Sequence, residues 1–113
     1  MANTLAPAAV NHVMNGSAKS WVNFSGTAHA IQDSFNVSSV TDLGTGTHRV
    51  NISSAMSNAN FTYSNGNKHS GDNSVPSGMG ENLTTTRYGT RVTNLTNMID
   101  ANNVTLSACG DLA

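Results

Sequence analysis

Apolar residues in this chain stand singly between polar ones, and one triplet recurs. Asn-x-Ser/Thr begins at Asn15, Asn23, Asn36, Asn51, Asn60, Asn82, Asn94 and Asn103, where about four occurrences would be expected from the residue frequencies. In seven of the eight the middle residue is apolar: Phe24, Val37, Ile52, Phe61, Leu83, Leu95 and Val104. Successive side chains of a β-strand point to opposite faces, so polar-apolar-polar is the signature of a strand with one wet face. The triplets therefore read as strands. Glycosylation is the poorer explanation, because no export signal accompanies them.

Extending the triplets gives a map. Residues 20–24 form a strand with Val22 and Phe24 on one face and Trp21 on the other, followed by a turn at residues 25–27. A stretch from Ala28 runs into residues 33–41, where Phe35 and Val37 alternate with polar neighbours. Residues 42–46 hold two glycines and supply turn chemistry, and residues 48–52 return as the second arm of a hairpin. Residues 53–60 read as a connection with a helical turn, and residues 60–64 as another strand. Residues 65–80 form a long polar loop, of the length that is functional or disordered in compact domains. Strands resume over residues 81–88 and 91–97 with a break at Gly89, and residues 104–109 close the domain after a turn at 100–103. Seven or eight short strands at regular spacing predict an all-β fold, an antiparallel β-sandwich or jelly-roll-like domain. Residues 1–17 stand apart as an Ala-rich N-terminal arm, and residues 18–113 form the single β domain.

Composition adds a constraint. Asn, Ser and Thr number 16, 14 and 13 in 113 residues, against only 21 of Val, Ile, Leu and Phe together. Apolar burial contributes roughly 25 cal/mol per Å², while ordering a residue's backbone costs about 1–2 kcal/mol. So thin a core predicts that subunits complete one another, with a homotrimer as the first expectation. Five basic and six acidic residues leave no field to steer nucleic acid. No window approaches the roughly 18 apolar residues of a membrane helix, and the first residues lack a basic, apolar leader. A lone Cys109 forms no intrachain disulfide and reads as a small buried hydrophobe.

No catalytic constellation is visible. One glutamate, Glu81, among six scattered acids makes a glycosidase pair improbable. Neither a phosphate-binding loop nor a Gly-x-Ser-x-Gly elbow is present. His12, His29, His48 and His69 show no chelating spacing and read as solvated, so no metal and no cofactor is expected within one chain. Repetition of one histidine about a threefold axis is the remaining route to a metal site. The binding candidates are Trp21, Tyr63 and Tyr88, which could stack on a sugar ring or pack half-buried, and His69 with Asp72 in the long loop. An ice-binding role ranks behind these, because no fixed Thr-x-Thr period exists.

The segments KSWVNFSGT (19–27), DSFNVSSVTD (33–42), GTG (44–46) and VNISSAM (50–56) resemble, in order and spacing, a module of marine and cyanobacterial bacteriophage virion proteins. In that family W-V-N-F-N-G-T precedes S-F-N-V-S-S-[IV]-T-D-N-G-T-G and a strand ending T-A-M-P-x-A-N-Y. Here Ser57 stands for the proline and Phe61 for the tyrosine. The likeness is good over residues 19–61 and looser over 84–110. It implies a non-enzymatic virion structural protein, assembled in the host cytoplasm, and brings no catalytic residues. Only 17 residues precede the domain, which favours a stand-alone piece over a complete tail fibre. The expectation is a capsid decoration (cement) or head-fibre protein that binds the major capsid protein or another virion protein. The alternative is a receptor-binding tip that recognises host polysaccharide.

Overall fold

A computed structural model describes residues 16–68, 75–76, 83–94 and 97–113. Eight strands follow one another: β1 (Ser20–Ser25), β2 (Ala30–Phe35), β3 (Val37–Gly44), β4 (Thr47–Ile52), β5 (Thr62–Lys68), β6 (Val75–Pro76), β7 (Arg87–Thr93) and β8 (Asn103–Cys109). They form two antiparallel four-stranded sheets, ordered β2-β1-β8-β5 and β3-β4-β7-β6. The fold is a small β-sandwich, as the strand pattern predicts.

Period two sets the core. In β1 the alternate residues Val22 and Phe24 are buried while Trp21 is exposed, and in β8 Val104, Leu106 and Ala108 are buried. From the second sheet Val50 and Ile52 of β4 meet Tyr88 and Val92 of β7 in the same cluster, which Met56, Phe61 and Ala101 complete. Among the apolar centres of the Asn-x-Ser/Thr triplets, Phe24, Ile52, Phe61 and Val104 are buried, and Val37 and Leu83 pack against the cluster. Leu95 lies outside the described residues.

One residue carries the chain from the first sheet to the second. Asn36, between β2 and β3, adopts φ 56°, a left-handed conformation that Asn tolerates better than most residues. Its side-chain amide donates to the Lys19 carbonyl at 2.9 Å and the Ser54 carbonyl at 3.1 Å, and its Oδ1 accepts from the Ser54 amide at 2.7 Å. Asn36 thus makes a corner, and residues 28–41 are two strands in different sheets rather than one stretch. Because β2 and β3 are both edge strands among the described residues and stand a single residue apart, their two outer edges share one flank.

The β3–β4 hairpin forms where residues 42–46 predict its turn. Gly46 has φ 74°, and a Cβ there would stand 2.6 Å from the Val92 carbonyl oxygen and 2.7 Å from that of Ile99. The Gly46 amide donates to Asp100 Oδ1 at 2.7 Å, and its carbonyl accepts from the Val92 amide at 2.8 Å. The hairpin turn is therefore docked onto the segment that follows β7.

Four expectations need correction. Residues 53–60 contain bends and no helical turn, and Met56 bridges to Leu112 instead. The polar stretch from residue 65 begins as strand, because β5 runs on to Lys68 against β8. β6 also lies within the predicted loop, whose other residues, like residues 1–15 of the N-terminal arm, fall outside the described ones. Gly89 does not break a strand: β7 runs through it, buried and paired with Arg49, and the turn lies before Arg87. Cys109 is partly exposed, because its neighbour Ala108 takes the inward position.

Candidate functional site

The outer face of the first sheet carries an open groove of about 370 Å³, within the roughly 300–1,000 Å³ range of small-molecule sites. Register builds it. Trp21 stands opposite Phe35 on one side and Ser107 on the other, and Ser107 stands opposite Ser64. The next outward row runs Asp33, Asn23, Thr105 and Gly66. Trp21, Asn23, Ser64, Gly66, Thr105 and Ser107 line the groove. Trp21 remains 37 % exposed and Phe35 52 %. The Ser64 and Ser107 hydroxyls lie 2.9 Å apart in a hydrogen bond. A Cβ at Gly66 would approach Thr105 Oγ1 at 2.9 Å, so glycine keeps this part of the floor low. An indole beside a row of hydroxyls and an amide offers a flat apolar surface next to donors and acceptors, the mixture that a sugar ring presents in reverse.

The structure separates the other sequence-derived candidates. Tyr88 is wholly buried, its hydroxyl 3.0 Å from Ser20 Oγ and its ring 6.2 Å from that of Phe61. Burial raises its pKa, the Ser20 hydrogen bond opposing in part. Tyr88 is thus a core residue, and the stacking role considered for it is corrected. Tyr63 is half-buried beside it, with ring centroids 6.0 Å apart, and pairs with the inward Ala108 rather than lining the groove. His69 and Asp72 lie outside the described residues. Phe35 is a surface aromatic that the sequence pattern assigned to the same role as Val37. Its exposure follows from β2 being an edge strand whose outer face pairs with Trp21.

A second cluster joins the two sheets at the shared flank. His29 ends the β1–β2 turn, Asp42 lies late in β3, and His48 is on β4. His29 Nδ1 is 3.0 Å from His48 Nε2. Asp42 Oδ2 is 3.5 Å from His29 Nε2, and Asp42 Oδ1 is 4.0 Å from His48 Nε2. His48 is 1 % exposed, its ring edge-on to Phe24 at 5.0 Å, and its buried Nδ1 has no hydrogen-bond partner among the described residues. The reading of these histidines as scattered is therefore corrected for His29 and His48, which meet here, and the reading as solvated is corrected for the buried His48 but holds for the exposed His29; His12 and His69 are outside the described residues. Burial lowers the His48 pKa, with the nearby Asp100 and Asp42 carboxylates opposing and His29 reinforcing. No spacing rule would have found this group, since Asp42 and His48 face each other across the β3–β4 hairpin and the β1–β2 turn brings His29 to them only in the folded sandwich.

No protein-family model, no curated protein and no solved structure matches this chain.

Proposed function

We propose that this chain is a non-enzymatic structural protein of a bacteriophage virion surface, and that its outer sheet face recognises a polysaccharide of the host surface. The Trp21 groove is the observation that carries the adhesive role. A pyranose C–H face would lie on the indole, and its hydroxyls would exchange hydrogen bonds with Ser64, Thr105, Ser107 and Asn23. The virion setting rests on the resemblance over residues 19–61. Titration with fragments of host-surface polysaccharide, followed by calorimetry, tests the adhesive role. Saturable binding that weakens about tenfold or more in Trp21→Ala, a loss of about 1.4 kcal/mol, supports it. Equal binding by wild type and Trp21→Ala sinks it.

A second reading, capsid decoration, is favoured by the shared flank. Ile31, Phe35 and Leu43 on β2 and β3 are 38 %, 52 % and 40 % exposed, and among the described residues both strands present unpaired backbone edges. In this role the flank meets the major capsid protein or a second copy of the chain within a homotrimer. Hundreds of copies per purified virion, together with added heat stability of the shell, support decoration. A handful of copies supports the adhesive tip. Sedimentation at micromolar concentration tests the trimer, against which a stable monomer would count.

A further inference from the structure

We propose that His29, Asp42 and His48 form a binding site for a divalent transition-metal ion of the zinc class, which clips the β1–β2 turn to the β3–β4 hairpin. One ligand atom from each residue lies within 4.8 Å of the other two. Two nitrogens bound at about 2.0–2.1 Å in a tetrahedral site stand roughly 3.4 Å apart. The 3.0 Å between His29 Nδ1 and His48 Nε2 is a few tenths of an ångström short of that, and the carboxylate oxygens are already within reach of both rings. Two imidazoles and one carboxylate suit zinc, nickel, cobalt or copper(II), whereas calcium and magnesium demand oxygen donors.

The rigidity of the site is uneven in a useful way. His48 is locked by burial and by Phe24, so its Nε2 is held facing the cluster. Asp42 is oriented by the Gly44 amide, which donates to its Oδ1 at 3.0 Å. His29 and Asp42 have side chains 36 % and 44 % exposed, which leaves a route for the ion and a fourth coordination position open to solvent. Without an ion, the geometry suits a relay in which His48 Nε2–H donates to His29 Nδ1 and His29 Nε2–H faces Asp42. In that tautomer the enclosed His48 Nδ1 carries no proton and its lack of a donor is tolerable. Metal binding moves the His48 proton to Nδ1, where no acceptor waits, and this cost sets the expected affinity at micromolar rather than nanomolar.

The test uses the whole chain, stripped with EDTA and titrated with zinc chloride, and with cobalt chloride for its visible absorption. Expected are a saturable micromolar affinity, a melting temperature that rises with zinc and falls back on chelation, and a cobalt spectrum of four- or five-coordinate character. Magnesium and calcium chloride should leave the melting temperature unchanged. His48→Ala removes a buried ring and could unfold the domain, so His29→Ala and Asp42→Asn, at exposed positions, carry the test. Each should weaken zinc by about tenfold or more, while the zinc-free circular dichroism stays that of the wild type. Equal zinc affinity in the double variant would place the ion elsewhere and overturn the proposal. So would the absence of saturable binding at submillimolar zinc, which would leave the cluster a hydrogen-bonded relay only.

Discussion

The Trp21 groove and the His29–Asp42–His48 cluster are built by opposite means. The groove is a product of register: alternate residues of β1, β8 and β5 fall into rows, and any three neighbouring antiparallel strands would make such rows. Its side chains face outward and the core beneath it does not depend on them. The cluster instead gathers a turn, the late part of an edge strand and a buried ring at the start of β4, from both sheets, and the hairpin that carries two of its members is bolted down by Gly46. Binding faces made by register can change cheaply, whereas sites made by convergence are tied to stability.

Substitutions should expose that contrast. The largest effect is expected at Gly46, where Gly46→Ala meets an unfavourable φ and two backbone oxygens. A loss of about 2–5 kcal/mol in urea unfolding is expected, and a neutral result would show that the hairpin is not held as described. Asn36→Ala should follow at about 2–3 kcal/mol, since three hydrogen bonds and a tolerated left-handed residue are lost together. Asn36→Gly, which keeps the conformation, should lose less, and the difference between the two variants measures the backbone share.

Next in size is a dependence on pH in metal-free buffer. The folded pKa of His48 lies below its ordinary 6.5 because burial disfavours the charged ring, with Asp100 and Asp42 opposing and His29 adding to the shift. Below 6.5 the unfolded chain binds the extra proton first, so stability is whole above 6.5 and declines as pH falls through the lower folded value. Denaturant titrations across this window should show that decline, and His48→Gln should flatten it. The smallest effects belong to the groove. Trp21→Ala should cost about 0.5–1 kcal/mol through its lost cross-strand partner Phe35, and Ser107→Ala should stay within about 0.5 kcal/mol. A drop of several kcal/mol in either would mean that the face is structural after all.

Legibility follows the same division. Strands whose inward positions are apolar, such as Val22 and Phe24 in β1 or Val104 and Leu106 in β8, announce themselves by alternation. The second half of β5 does not, because Asn65 and Asn67 stand opposite the buried Leu106 and Val104, where apolar residues would be expected. Asn65 recovers part of the cost by donating its side-chain amide to Thr90 Oγ1 across the sandwich. Gly89 misleads in the other direction, since glycine suggests a break but here lies buried within a continuous strand. Trp21 could be placed on the outer face from β1 alone. The groove around it needed the pairing of β1 with β8, more than 80 residues away along the chain. The histidine cluster needed the Asn36 corner and the hairpin register as well, neither of which leaves a periodic trace.

The place of β8 in the first sheet also dictates an order of events during synthesis. β3 and β4 are neighbours in sequence and can pair as soon as both have left the ribosome. β1 and β5, by contrast, have no ladder to each other and meet only through β8. Until residues 103–109 emerge, the nascent chain holds a β1–β2 hairpin and a separate β5 whose inner faces lack their shared centre. Closing so long a loop is slow, and the edge of β1 that pairs with β8 stays open meanwhile, an interval in which chaperones or neighbouring chains can reach it.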